Sequence, residues 1–161
     1  MIFVTIGTQE PFDRLIKAMD KIAEKIDVEV IAQVSIKSAY QVKHMKTYNF
    51  LAPSEFERIF NAADLVVAHA GMGTIISALV NERPLIVMPR QLALREHRSD
   101  HQMATVQHFL KLGYVNVAND IDELEIKVMD FLSTGNIQVF SKLGEYASLS
   151  LIKDIKNIGR R

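Results

Sequence analysis

The stretch DLVVAHAGMGTIISALV, residues Asp64 to Val80, decides the fold of this chain. Its opening run, Asp64 to Ala68, is short and apolar, as a buried parallel strand is. A helix is predicted from about Thr74 to Asn81. The turn between them contains two glycines, which let another group approach the backbone closely. The stretch therefore predicts a strand, a glycine-containing turn and a helix.

The same alternation continues in both directions along the chain. Apolar runs predict strands at Ile2 to Ile6, Val28 to Val34, Tyr48 to Leu51, Leu85 to Met88 and Tyr114 to Ala118. Helical spacing follows several of them: over Phe12 to Ile26 with Pro11 in the first turn, after a capping box at Ser54 and Glu57, and over Met103 to Leu110 with a C-terminal Gly113. Alternating strands and helices predict an α/β fold, a Rossmann-like parallel sheet with helices on both faces.

Composition narrows the class of protein. The 161 residues fit one domain, 1–161, and contain 19 basic residues, 19 acidic residues and no cysteine. A balanced charge gives no basic field for nucleic acid, and the absence of cysteine fits a reducing cytosol. No signal peptide and no apolar run of about 20 residues is visible. We therefore expect a cytoplasmic protein whose membrane contacts, if it has any, are local.

Three segments are expected at the carboxyl edge of the sheet, where ligands of such folds bind. They are Gly7-Thr8-Gln9, the turn His69-Ala70-Gly71-Met72-Gly73-Thr74, and the polar loop from Arg90 to Gln102. The turn places free N–H groups of a helix N-terminus where they favour a diphosphate. A tight turn without a ligand explains the two glycines equally well. Ile76 replaces the third glycine of the dinucleotide fingerprint and the Walker lysine is missing, so no NAD or ATP cofactor is expected.

The polar loop contains several groups that hydrogen-bond sugar hydroxyls. Glu96, His97, Asp100, His101 and Gln102 lie within seven residues. A solvated loop with Asp100 as a helix cap is the alternative. A metal site from Glu96, His97 and His101 is also conceivable, but the spacing is not HExxH and we predict no metal.

Three motifs in this order resemble a known family. MIFVTIGTQEPFDRLI (1–16), HAGMGTIISAL (69–79) and RPLIVMPRQLALREHRSDHQ (83–102) resemble the C-terminal domain of glycosyltransferase family 28. The chain is most similar to the short PssE-type subunits of bacterial exopolysaccharide and capsule synthesis. It also resembles the small cytosolic subunit of the eukaryotic transferase that adds the second GlcNAc to dolichol-linked sugar.

The resemblance implies the C-terminal, donor half of a GT-B enzyme that binds a UDP-sugar. A membrane-anchored partner resembling PssD would supply the other half and the lipid-linked acceptor, and would hold the chain at the inner face of the plasma membrane. Transfer would invert the anomeric centre without a metal or cofactor. A non-catalytic accessory subunit that enhances such a partner is the alternative.

The family motifs assign candidate residues to this site. The expected substrate-binding residues are Gly7, Thr8, Gln9, His69, Ala70, Gly71, Met72, Gly73, Thr74, Ser77, Arg90, Glu96, His97, Asp100, His101 and Gln102. Asp100 and Gln102 are the favoured contacts to sugar hydroxyls. Ser77 stands where many relatives have a ribose-binding Glu. His69 is the catalytic candidate, since an imidazole changes charge near neutral pH, although the general base is expected from the partner.

A last helix is predicted at about 137–158. It has an apolar stripe and a basic end at Lys153, Lys156, Arg160 and Arg161. Packing on its own domain is the favoured interpretation, and docking to the partner or to anionic lipid is the alternative.

Overall fold

A computed structural model describes residues 1–7, 10–97, 101–111 and 114–135, and for residues 101, 104, 105 and 108 it describes the backbone alone. The strands are β1 (Ile2–Thr5), β2 (Val30–Gln33), β3 (Lys46–Tyr48), β4 (Leu65–His69), β5 (Leu85–Met88) and β6 (Asn116–Val117). The helices are α1 (Asp13–Ala23), α2 (Pro53–Ala62), α3 (Met72–Val80), α4 (His101–Lys111) and α5 (Ile121–Thr134), with a short 3₁₀ turn at Leu92–Leu94.

The six strands form one parallel sheet in the order β3-β2-β1-β4-β5-β6. This is the doubly wound order, in which the chain turns outward in opposite directions from β1 and β4. Thr5 of β1 pairs with Ala68 of β4, and His69 continues the pairing with Met88 of β5. The sheet positions the carboxyl ends of β1 and β4 side by side, at the switch point where such folds bind ligands.

Each face of the sheet is covered by its own helices. On one face, α1 and α5 pack against the side chains of Val4, Val67 and Ile86. On the other face, α2, α3 and α4 pack against Phe3 and Val66. The central strands are buried on both sides, which is why they are almost entirely apolar in sequence. The prediction of a Rossmann-like parallel sheet with helices on both faces is confirmed.

The local predictions fail mainly at the ends of elements. Strand β3 lies at 46–48 instead of 48–51, because the chain has left the sheet before Leu51 enters the core. Helix α2 begins at Pro53 with Ala52 as its N-cap and no side-chain cap, so the predicted capping box at Ser54 and Glu57 is wrong. Proline fits the first helical position because its missing N–H would have no partner there.

Further boundaries differ from the sequence predictions: α3 begins at Met72 instead of about Thr74, and β6 covers 116–117 instead of 114–118. Pro11 precedes the N-cap Phe12 of α1 and is not in the first turn of that helix. The strand predicted to end at Ala68 continues to His69, which is the last residue of β4 rather than the first of the turn. Gly113 and the helix predicted at 137–158 lie outside the described residues. Among the residues that are described, none belongs to a helix long and apolar enough to cross a membrane.

Candidate functional site

A cleft of about 260 Å³ opens at the carboxyl ends of β1 and β4. Ile6, Gly7, Glu10, His69, Arg90, His97 and Gln102 line it. Each of the three segments predicted at this edge contributes at least one of these residues, although they are far apart in sequence. The cleft also lies at the topological switch point of the sheet. It is therefore the candidate ligand site of the chain.

The imidazole of His69 lies between two glycines. A Cβ added to Gly71 would lie 2.3 Å from Nε2 and 2.8 Å from Cε1 of the His69 ring. A Cβ added to Gly7 would lie 3.1 Å from Cε1, and Gly7 also has a φ of +75°, which strains other residues. These two glycines are therefore required by the histidine ring and by the backbone, before any ligand is considered.

Burial keeps His69 uncharged at neutral pH. Desolvation lowers the pKa of His69 to about 4, the Arg90 guanidinium adds to this effect, and the Thr5 backbone opposes it. The ring atom Nδ1 is buried and forms no hydrogen bond of ordinary geometry within the described chain. The sequence argument that His69 changes charge near neutral pH is therefore wrong, although the residue does line the cleft.

Helix α3 begins beside His69 without a side-chain cap from the described residues. The N-cap Gly71 donates its N–H to the His69 carbonyl at 2.8 Å, and the Ile75 N–H reaches the Gly71 carbonyl at 3.1 Å. The N–H groups of Met72, Gly73 and Thr74 lie in the first turn, where a helix offers no acceptor. Gly73 is exposed, and a Cβ added there meets no atom within 4 Å. The helix start is thus accessible as well as uncapped.

The sequence model of the glycosyltransferase family 28 C-terminal domain matches residues 1–143. The chain belongs to this family. It is 37% identical over 81 residues to a UDP-N-acetylglucosamine transferase subunit ALG13 from Cryptococcus neoformans, a match covering 49% of this chain and 38% of that protein. The chain thus spans well under half the length of that curated relative.

Solved structures show the same fold for this family 28 domain. MurG from Acinetobacter baumannii superposes with a TM-score of 0.63 at 15% identity, over 99% of this chain and 49% of that one. An NMR structure of ALG13 superposes with a TM-score of 0.54 at 19% identity, over 89% of this chain and 88% of that one. At these identities the likeness establishes the fold alone.

The guanidinium of Arg90 donates its hydrogen bonds to backbone carbonyls of the family 28 domain. The side chain is 2% exposed and donates to the carbonyls of Ile6 (3.1 Å), Glu10 (2.8 Å) and Pro11 (2.5 Å), and to that of Glu96 at 3.3 Å. The guanidinium also lies 4.6 Å from the centre of the Phe12 ring. Arg90 lines the cleft as predicted, but its donors hold the loop between β1 and α1 in place.

Glu96 pairs with a residue that sequence analysis did not single out. Its two carboxylate oxygens accept from Nε (2.7 Å) and Nη2 (2.9 Å) of Arg14, and one of them also accepts the Gln91 N–H at 3.0 Å. This carboxylate, predicted to face the sugar, is occupied within the protein. No sequence pattern points to the pair, because 82 positions separate Arg14 from Glu96.

The remaining predicted residues fall into three groups. Gln102 and His97 line the cleft, and the Gln102 side-chain oxygen accepts the Arg90 N–H at 3.2 Å. Ala70 is buried in the core, and Ser77 lies one turn beyond Gly73 on the same face of α3. Thr8, Gln9, Asp100 and the side chain of His101 lie outside the description.

Metal binding finds no support in the described side chains. No group of three or more histidine, aspartate or glutamate side chains among them is arranged to hold an ion. His101, one of the residues of the conceivable metal site, is described by its backbone only. Polar side chains that line the cleft, such as those of Arg90 and Gln102, take part in hydrogen bonds within the protein.

Proposed function

We propose that the chain is the donor-binding subunit of a two-component inverting glycosyltransferase that takes a hexose from a UDP-sugar. The acceptor is lipid-linked and bound by a membrane-anchored, PssD-like partner at the inner face of the plasma membrane. The setting is exopolysaccharide or capsule synthesis. Family membership supports the class of reaction, and the relative named a transferase subunit supports activity within a complex.

One observation carries the proposal: helix α3 starts uncapped at the carboxyl edge of the sheet, three residues after His69, which lines the cleft. Its first N–H groups and the positive end of its dipole favour a negatively charged group there. The diphosphate of a UDP-sugar supplies such charges. Gly73 leaves room for the phosphates to approach the backbone, which a larger side chain would obstruct.

The side-chain amide of Gln102 presents its NH₂ group, and not its oxygen, to the ligand in this proposal. Because its side-chain oxygen is held by the Arg90 N–H, the NH₂ group is the part that remains to face the cleft. An NH₂ donor binds hydroxyl, ribose or phosphate oxygens and cannot accept a proton. This fits a contact to a sugar or nucleotide oxygen and does not fit proton abstraction.

The catalytic contribution of this half is stabilisation of the leaving group. As the bond from the sugar to the diphosphate breaks, negative charge grows on the phosphate oxygens, and fixed N–H donors stabilise it more than they stabilise the substrate. The general base comes from the partner in this proposal. Of the described residues that line the cleft, Glu10 alone is a carboxylate, and His69 with a pKa of about 4 is a poor base.

The proposal is tested with the variants Gly73→Val and Ser54→Val. Both residues are exposed and hold the second position of a helix, but Ser54 lies on α2, away from the cleft. Titration calorimetry with UDP should show binding that Gly73→Val weakens by about 1–2 kcal/mol, the value of one or two charge-assisted hydrogen bonds. Ser54→Val should bind like the wild type. Equal UDP affinity in all three proteins would refute the proposed cradle.

The two-component part of the proposal needs a second experiment. The chain is mixed with a candidate PssD-like protein in lipid vesicles that contain the acceptor, and release of UDP from a series of UDP-sugars is measured. Turnover should require both chains and fall with Gly73→Val while the complex still forms. Undiminished turnover with that variant would identify an accessory role instead.

A further inference from the structure

Two loops border the cleft, and two arginines join them. The first loop, between β1 and α1, includes the described residues 6–7 and 10–12, and the second runs from Pro89 to His97, after β5. Arg90, in the second loop, donates to three carbonyls of the first loop. Arg14, in α1, donates to the Pro89 carbonyl at 2.9 Å and to the Glu96 carboxylate. Arg90 therefore ties the second loop to the first, and Arg14 ties helix α1, which follows the first loop, to the second.

The two guanidinium groups share one aromatic platform. Phe12 is 1% exposed, and the guanidinium carbons of Arg90 and Arg14 lie 4.6 Å and 5.3 Å from the centre of its ring. Both distances suit cation–π contact. Two like charges beside one ring repel each other, and the Glu96 carboxylate is the group that neutralises this arrangement. Glu96 also closes its own loop by accepting the Gln91 N–H.

We propose that Glu96 and Arg14 are positioning residues for the UDP-sugar site, acting with Arg90 as a clamp between the two loops. None of the three contacts the ligand in this assignment. The clamp holds Gly7 and His69 on one side of the cleft at a fixed separation from His97 and Gln102 on the other. A fixed separation raises ligand affinity because the loops are already ordered before binding. The inference rests on the proposed function for its ligand.

The geometry favours positioning over a purely local structural role. The Arg14 and Glu96 side chains are 15% and 12% exposed and meet in a two-bond, fork-like pair, the arrangement that fixes direction as well as distance. A second ion pair, Lys25 with Glu125, lies just beyond the C-terminal end of α1, at the opposite end of that helix from Arg14. That pair is 52% and 34% exposed, so it serves as a control for the loss of an ion pair away from the cleft and is not matched in burial.

The test is a double-mutant cycle measured on UDP affinity. Arg14→Gln, Glu96→Gln and the double variant are titrated with UDP at a temperature where urea unfolding shows each to be fully folded, so that stability does not enter the dissociation constant. Each single variant should bind about ten-fold more weakly, and the double variant no more weakly than either, since the residues act through one another. Lys25→Gln should bind UDP like the wild type.

Hydrogen exchange provides a second measurement that needs no ligand. In Glu96→Gln, exchange should accelerate in peptides covering residues 6–12, across the cleft from the substitution, and remain unchanged at the Lys25 end of α1. Absence of UDP binding by the wild type would refute the proposed function but leave this measurement intact. Wild-type affinity in Glu96→Gln, additive losses in the cycle, or exchange confined to residues 90–97 would overturn the clamp.

Discussion

Acidification should destabilise this domain through His69. The pKa of this imidazole is about 4 in the folded chain, against about 6.5 in an unfolded one. Between these values the unfolded chain binds a proton that the folded chain does not. The free energy of unfolding therefore falls as the pH drops below about 6.5, and this contribution stops falling near pH 4, the folded value.

The magnitude follows from the two pKa values. At about pH 5 the unfolded imidazole is almost fully protonated, whereas the folded one is about one-tenth protonated. The difference corresponds to a factor of about 30 in the unfolding equilibrium, or about 2 kcal/mol, relative to about pH 7.5. His69 lies at the wall of an open cleft, so penetrating water reduces the effect to about 1–2 kcal/mol.

The assay compares urea unfolding of the wild type and His69→Asn at both pH values. The other titrating groups are common to the two proteins, so the difference in pH dependence isolates His69. The wild type should lose about 1–2 kcal/mol more than the variant on acidification. Should the variant fail to fold, the His69 Cε1 proton can be titrated by NMR in the wild type. Equal pH dependence, or a midpoint near pH 6.5, would refute the assignment of a neutral, buried ring.

Two further substitutions test how the site is built. Gly71→Ala places a Cβ 2.3 Å from the His69 ring and should lower the free energy of unfolding in urea by about 1–3 kcal/mol. In Gly73→Ala the added Cβ meets no atom within 4 Å, so this variant should be neutral or slightly stabilising. Equal effects of the two substitutions would contradict the glycine assignment. Asp20 is 1% exposed and accepts hydrogen bonds from the Tyr40 hydroxyl and from the N–H groups of Lys43 and His44. Asp20→Asn should therefore lower the free energy of unfolding by about 2–4 kcal/mol in the same assay. A loss below about 1 kcal/mol would show that this carboxylate does not anchor residues 40–44.

The order and type of the central elements were predictable from sequence because the signals are local. Buried parallel strands are short apolar runs, and the glycine turn after β4 marks where a helix starts. The edge strand β3 was misplaced by two residues at its start and three at its end, for a physical reason. Its residues Lys46 and Thr47 are exposed, whereas the apolar Leu51 that suggested a strand is buried outside the sheet. An apolar pattern indicates which residues are buried, but at the edge of a sheet a buried residue need not belong to a paired strand.

The site was predictable to the level of segments and not to the level of side chains. Cleft residues such as Gly7, His69 and Gln102 lie at or just after the ends of strands or near the start of a helix, and the fold alone brings those positions together. What each side chain does there depends on partners distant in sequence. Glu96 and Arg90 have the chemistry of ligand-binding residues, but Arg14 and four backbone carbonyls occupy them.

In the proposed site the anion is bound by backbone N–H groups and not by arginine side chains, and the charges around the cleft are consistent with this. Arg90 is buried with both terminal nitrogens donating to backbone carbonyls, and its charge adds to the effect of burial in lowering the pKa of His69. Burial is the main cause of the neutral state of His69 and Arg90 adds to it, so the ring places no positive charge of its own beside the N–H groups of α3. An anion held by those amides is stabilised by Arg90 at a distance and can leave without breaking an ion pair. A diphosphate bound at these amides should raise the pKa of His69, because its negative charge favours the protonated ring whereas the positive charge of Arg90 disfavours it.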